Sequence, residues 1–345
     1  MTLFVHLNRF VVTLSFCWLF NACQMESNPS MVIEGRLVNR NNTGYKWVFL
    51  YRYADPISLA HLSKLKVDST PVTEEGTFRF KLKEPLKSDF IDLGNESYIF
   101  AKNIFITRGE RLKLIFDVSK DPPEIMNRDI IGKYNQMLQD FSDTFYRDPV
   151  VKQYYYVGSN FLLAPAYATY IDKRREAQLK FAKNLLNDPE TDTVFKTFLQ
   201  SEINYQWAND KIAFLWKKWV RNEEVPLKAD YYNFLHELPL NNPPALISPA
   251  YFRFLELYIR ELHRQLPIGI QMAQPAVKLK CDLAREKLTG LAYKVALWQI
   301  LTEDAATIQS LTGFDQVQKN KVDQLARHMV ELTGDSTYLH YQITP

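Results

Sequence analysis

Glycine is scarce, with 11 residues in 345 against a usual share of about 7%. Glycine-rich loops let a backbone approach phosphate closely, and no nucleotide fingerprint of that kind is present. Cysteine is scarcer still, 3 in the whole chain, and no Cys-x-x-Cys occurs. An excess of one charge is missing as well: 42 Lys and Arg face 39 Asp and Glu, a net charge of +3. So balanced a chain has no overall field for nucleic acid or for a strongly anionic surface. His-x-x-x-His, His-Glu-x-x-His and Gly-x-Ser-x-Gly are all absent, which removes the common zinc and α/β-hydrolase signatures. Long apolar runs are lacking too. Phe10 to Phe20 is the longest near the N-terminus, short of the roughly 20 residues that span a bilayer.

That short run is informative for what surrounds it. Arg9 precedes it, Asn21 and the polar stretch Gln24 to Ser30 follow it, and small Ala22 stands directly before Cys23. The pattern predicts a secretory signal over residues 1–22. Leu19-Phe20-Asn21-Ala22-Cys23 resembles a bacterial lipobox, in which the cysteine is diacylated and becomes the first mature residue; the alternative is an ordinary cleaved signal with Cys23 incidental. Two acyl chains anchor stably where one binds reversibly, and residues 23–30 then form a lipidated tether. Cleavage leaves 41 of the 42 basic residues against all 39 acidic ones. Of the cysteines, Cys23 and Cys281 remain, and with Cys23 acylated no intramolecular disulfide is possible.

What is abundant is apolar material: 46% of the residues are hydrophobic and 14% aromatic, while charged residues stand at an ordinary 23%, enough for large cores in two domains. From Met31 to Val118 the period is two. Phe78, Phe80 and Leu82 alternate with Arg79, Lys81 and Lys83, and Leu112, Leu114, Phe116 and Val118 with Arg111, Lys113 and Asp117, so the cations point outward. Trp47, Phe49 and Tyr51 mark another strand, and Ile33 with Leu37 an earlier one. Turn signals at Asn41 to Gly44, Glu74 to Gly76, Gly94-Asn95 and Arg108-Gly109 have the spacing of an antiparallel sandwich or barrel.

Asp121-Pro122-Pro123 predicts the domain boundary, since consecutive prolines continue neither ladder nor helix. Beyond it the period is near 3.6. Helices are expected over about residues 131–146 and 166–186. A third carries Phe195, Leu199, Ile203, Trp207, Ile212, Leu215 and Trp219 on its buried stripe, with Glu202, Asn209, Lys217 and Lys218 off it. Ser248-Pro249 is an N-cap with proline at the first helical position. A single helix is expected from about Pro275 to Leu301, with Val277, Cys281, Ala284, Leu288, Leu291, Val295 and Trp298 along one seam. A last helix runs from Phe314 to Gly334.

Val67-Asp68-Ser69-Thr70-Pro71-Val72, Gly76-Thr77-Phe78-Arg79-Phe80 and Arg108-Gly109-Glu110-Arg111-Leu112 together resemble the β-domain at the front of Bacteroidota lipoproteins of the TlpA/ResA-like thioredoxin group. The likeness extends into Gly132-Lys133-Tyr134-Asn135, Tyr231 to Leu235, Pro239 to Pro243 and Ser248 to Tyr251. In that group such helical segments precede a thioredoxin fold, which is not expected here, since no Cys-x-x-Cys occurs. The resemblance implies an envelope address and a redox domain supplied, if at all, by another chain.

Cys281 on the apolar seam is expected to be core rather than nucleophile. His61, His236, His263, His328 and His340 are scattered, and no metal site is expected. The pairs Asp140 with Asp143 and Glu202 with Asp210, and the basic groups Lys173-Arg174-Arg175 and Lys217-Lys218-Arg221, read as solvated helix faces. Tyr154-Tyr155-Tyr156 before Gly158 forms either an exposed platform for sugars or peptides or a crowded interdomain seam. The fold expected is α+β, an antiparallel β-sandwich-like domain over residues 31–121 followed by a helical domain over residues 122–345. The role expected is a non-catalytic binding module without cofactor, held at a membrane by Cys23, with a protein, peptide or glycan partner and no nucleic acid. Alternatives are the scaffold half of a disulfide reductase system and an enzyme whose site is not legible.

Overall fold

A computed structural model describes residues 31–39, 45–52, 65–82, 88–95, 99–107, 109–119, 124–126, 132–147, 163–223, 225–227, 230–273 and 276–312, together with 327 and 330. Their arrangement is α+β, with strands in the first part and helices after it. The described residues fall into two compact units, one within 1–50 and 68–132 and the other within 51–67 and 133–345.

The strands are β1 (Met31–Val38), β2 (Trp47–Arg52), β3 (Leu65–Pro71), β4 (Thr77–Leu82), β5 (Ser88–Gly94), β6 (Ile99–Thr107), β7 (Arg111–Asp117) and β8 (Glu124–Ile125). They form two four-stranded sheets in the orders β4-β1-β7-β8 and β3-β2-β5-β6. Strict alternation in β4 buries Phe78 and Phe80 and exposes Thr77, Arg79 and Lys81, so the period-two reading holds. Ile33, Phe80 and Leu112 from one sheet and Val48, Ile91 and Ile106 from the other belong to one buried cluster.

The expected antiparallel order fails between β1 and β7. β1 and β7 run parallel, in register from Val32 opposite Arg111 to Val38 opposite Asp117. Five strands separate them in the chain, more than the dozen or so residues a parallel crossover needs. β8 pairs with the end of β7, so the sheet continues past the two prolines taken as a boundary. Asp117, expected to point outward, is buried and accepts hydrogen bonds from Ser119 Oγ (2.6 Å) and Ser119 N (3.0 Å). In the other sheet the β5–β6 register slips around Asp92. There Asn103 takes a left-handed φ of 56° and donates its N–H to the buried Asp92 carboxylate at 2.7 Å, a side-chain partner for a bulged amide.

Gly35 in the middle of β1 lies directly opposite Phe78. A Cβ there would stand 1.9 Å from Phe78 Cζ, so the ring occupies the space that any side chain would need. Gly35→Ala is therefore expected to lower stability by about 1–3 kcal/mol through overpacking. Phe78→Leu in the same chain should recover part of that loss in a urea melt, since it vacates the contested volume.

The helices are α1 (Lys133–Ser142), continued by one π-helical turn to Arg147, α2 (Ala164–Asn187), α3 (Thr193–Val220), α4 (Pro249–Gln265), α5 (Ile268–Ala273), α6 (Ala276–Lys287) and α7 (Gly290–Thr312). Short 3₁₀ segments at Tyr231–Glu237 and Pro243–Ile247 lead into α4. Asp192 caps α3 by accepting from Val194 N and Phe195 N, and Ser248 caps α4 by accepting from Tyr251 N. α2 and α3 are antiparallel neighbours, since Asp172 meets Lys211 and Arg175 meets Asn204. α3 and α4 run parallel: Asn209 bonds Ala250 near the start of α4, and Trp216 lies beneath Arg260 near its end.

The single helix expected from about Pro275 to Leu301 is two. Thr289 donates its N–H to Asn241 Oδ1 at 2.7 Å and Gly290 turns to φ 54°, so the helical ladder is interrupted. The apolar spacing runs through the break, which is why periodicity alone does not reveal it. Of the expected terminal helix from Phe314 to Gly334 only Arg327 and Val330 are among the described residues, and both are helical.

Candidate functional site

Two places hold unusual concentrations of charge, one inside the helical unit and one on the sheet β4-β1-β7. The interior one lies along α3. Buried Arg174 and Asp210 form an ion pair, and Gln206 Nε2 donates to Asp210 at 2.9 Å. Beside them Lys211 reaches Asp172 at 2.6 Å, Trp207 Nε1 donates to Asp172 at 2.7 Å, and the Arg175 guanidinium sits 3.8 Å from the Trp207 ring centre. Glu202 Oε1 accepts from Ser248 Oγ at 2.7 Å and from Ala250 N at 3.1 Å.

These observations correct the expectation of solvated faces in part, since Lys217 and Arg221 are exposed as expected. Of Lys173, Arg174 and Arg175 only Lys173 is exposed, and Asn209, Asp210 and Lys218 are buried. The cause is that α3 is covered on two sides, by α2 and by α4, so positions off its apolar stripe also lose solvent. Trp219, expected on the stripe, is instead 53% exposed. Asp140 and Asp143 are each half-buried, Asp140 accepting from Gln136.

Perturbed proton affinities follow the same layer. Burial pushes the Tyr205 hydroxyl up to about 12; it donates to Pro239 O and accepts from Asn242 Nδ2. Tyr232, also raised to about 12 by burial and by its bond to Glu261, belongs to a knot with Glu261 and Arg264. Tyr146 keeps 37% of its surface exposed, yet burial of its hydroxyl end against Gln178 raises it to about 12. Each of these groups ties one helical segment to another. They are spent on packing, and perturbation of this kind marks structural networks as well as active sites. Among the described residues, no three His, Cys, Asp or Glu side chains gather where they could share a metal ion.

The sheet face is different in kind. On the outward side of β1, Glu34 stands between Arg79 of β4 and Lys113 of β7, and Val32 stands between Lys81 and Arg111. Arg36 continues the β1 row. Glu34 thus stands amid Arg36, Arg79, Lys81, Arg111 and Lys113, and its ion pairs with Arg79 (3.6 Å) and Arg111 (4.0 Å) are long and exposed. Adjacent to it opens a cleft of about 590 Å³ lined by Gly35, Phe78, Leu114 and Ile115, by Glu34, Arg36, Arg79 and Lys113, and by Thr70, Pro71, Thr73 and Thr77 of the β3–β4 hairpin. The hairpin is braced by Gly76 at φ 83° and by a Thr73–Thr77 hydroxyl bond of 2.8 Å. Cations about 10 Å apart across β1 and about 6.7 Å apart along β4 and β7 suit a ligand bearing several anionic groups, each weakly held in exposed surroundings.

Alternation alone placed Arg79, Lys81, Arg111 and Lys113 outward. What it could not supply was the parallel β1–β7 pairing that puts both rows on one face around Glu34. Cys281, expected as buried core, is half-buried, packed beside the helical core near the α6–α7 break. His236 is exposed, and His263 is half-buried with its proton affinity lowered by burial. Cys23 and Tyr154, Tyr155 and Tyr156 lie outside the described residues, as do His61, His328 and His340. No protein-family model, no curated protein and no solved structure matches the chain.

Proposed function

We propose that this chain is a membrane-anchored envelope lipoprotein whose β-unit is a non-catalytic binding module for an acidic glycan. The observation that supports the binding role is the cationic face of β4-β1-β7, five cations around Glu34 beside an apolar cleft. Sugar rings supply faces for the apolar floor and carboxylates or sulfates for the rim. The anchoring role rests on the signal-like N-terminus ending at Ala22-Cys23. Among the described residues no helix is long and apolar enough to cross a membrane.

Two measurements test this reading. Cys23→Ser should move the protein from the membrane to the soluble fraction on cell fractionation; a variant that still pellets with membranes refutes acylation as the attachment. Arg79→Glu with Lys113→Glu should weaken binding to a uronic-acid polysaccharide by on the order of tenfold at low salt, with the difference shrinking as salt screens the exposed charges. Equal binding by parent and variant would remove the sheet face as the site.

A further inference from the structure

Arg36, Arg79 and Lys113 all line the cleft beside β4-β1-β7, but their surroundings differ. Arg79 is held by Glu34 at 3.6 Å, and Lys113 is engaged as well. Arg36 is exposed and forms no ion pair or hydrogen bond among the described residues. Its place in the sheet gives the reason. Arg36 stands opposite Thr77 of β4 and Ile115 of β7, so neither cross-strand neighbour is a carboxylate. Glu34, two residues back on the same side of β1, turns to Arg79 and Arg111 instead. A guanidinium with its donors uncommitted therefore lines a cleft that Gly35, Phe78, Leu114 and Ile115 make largely apolar.

A cation at an open rim holds an anion weakly, because water competes for both charges. In the cleft a ligand displaces that water, and the planar fork of an arginine takes both oxygens of one carboxylate at once. A volume of about 590 Å³ falls within the range of about 300–1,000 Å³ typical of small-ligand sites, so a short stretch of polymer fits better than a lone ion. The other polar groups narrow the ligand further. Glu34 lines the same cleft, and an ionic carboxylate accepts hydrogen bonds without donating any, so whatever lies beside it must bring hydroxyls. Thr70 of the β3–β4 hairpin adds a hydroxyl of its own. One carboxylate flanked by hydroxyls satisfies Arg36, Glu34 and Thr70 together. A run of sulfates would satisfy Arg36 but press like charge against Glu34.

We infer that Arg36 is the specificity-determining residue of this cleft, seating the carboxylate of one uronic residue while the hydroxyls of the same sugar meet Glu34 and Thr70. The inference rests on the acidic-glycan reading of the face and adds a division of labour to it. The cations outside the cleft attract the polymer, and Arg36 selects a carboxylate over a sulfate.

The test is calorimetric titration of the complete chain carrying Cys23→Ser with trigalacturonate and, separately, with dextran sulfate, both at low salt. Arg36→Gln should weaken trigalacturonate binding by on the order of tenfold, the scale of a lost charge-assisted bond. Arg36→Lys should weaken it nearly as much, since lysine keeps the charge and loses the fork. Lys81→Gln removes the same charge from the same face outside the cleft and should cost about threefold or less. Dextran sulfate should lose no more from Arg36→Gln than from Lys81→Gln. Arg36 and Lys81 are both exposed, so each variant should fold as the parent does, and matching thermal melts would show it. Equal losses of trigalacturonate from Arg36→Gln and Lys81→Gln, or full binding by Arg36→Lys, would overturn this inference while leaving the glycan reading in place. A tenfold loss of dextran sulfate in Arg36→Gln would overturn the selection of carboxylate. A parent chain that binds neither trigalacturonate nor longer polygalacturonate would remove the glycan reading and this inference together.

Discussion

Asp210→Ala is expected to cost the helical unit about 3–5 kcal/mol, the largest single-residue effect foreseen here. Asp210 has a side chain only 2% exposed and its partner Arg174 one 7% exposed. Removing the carboxylate would leave a guanidinium in the α2–α3 interface without its principal counter-charge, and the desolvation of a buried cation is not recovered by water that cannot reach it. Gln206, which donates to the same carboxylate, would lose its acceptor too. Chemical denaturation should show the loss as a lower midpoint at unchanged slope. Arg174→Met with Asp210→Leu should recover most of it, because replacing both members by apolar groups of similar volume is often neutral. A single variant within about 1 kcal/mol of the parent would show that the pair is hydrated and that the interface is not built around it.

This pair also shows where reading the sequence stops. Arg174 and Asp210 are 36 residues apart, and each sits at a spacing that on a lone amphipathic helix belongs to the solvated side. Nothing local distinguishes a charge facing water from one facing a charge on the next helix. What was legible was local chemistry: the alternation that forms β4 and β7, the Ser248-Pro249 start of α4 and the apolar stripe from Phe195 to Leu215. The break at Thr289-Gly290 escaped because its cause, the Asn241 side chain, arrives from 48 residues away. The cationic face was half legible. Its outward residues follow from alternation, whereas its assembly depends on a parallel pairing that no turn signal announces.

The second large effect is expected at Ser248, which is fully buried and uses one hydroxyl twice. Its Oγ accepts from Tyr251 N at 3.4 Å, capping α4, and donates to Glu202 at 2.7 Å. Ser248→Ala should lose about 1 kcal/mol of capping and, separately, about 1–3 kcal/mol for a buried carboxylate left with fewer donors. The two parts can be told apart by pH. Glu202 retains a half-buried stem, but its carboxylate is enclosed, and burial raises its proton affinity above the ordinary 4.5, opposed by the hydrogen bonds from Ser248 and Ala250. Because the folded value is the higher one, the folded state binds this proton more tightly than the unfolded chain does. The contribution of Glu202 to stability is therefore greatest below 4.5, falls as pH climbs towards the raised folded value, and is level above it. Ser248→Ala removes one of the two opposing bonds, so the folded value rises further and the fall becomes deeper. The destabilisation measured by urea unfolding should accordingly be smaller at pH 4, where capping dominates, and larger at pH 8, well on the alkaline side of the unfolded 4.5. In a Glu202→Gln background the pH-dependent part should vanish and the capping part remain. A Ser248→Ala cost that is the same at both pH values with Glu202 intact would show that the hydroxyl acts on Tyr251 alone.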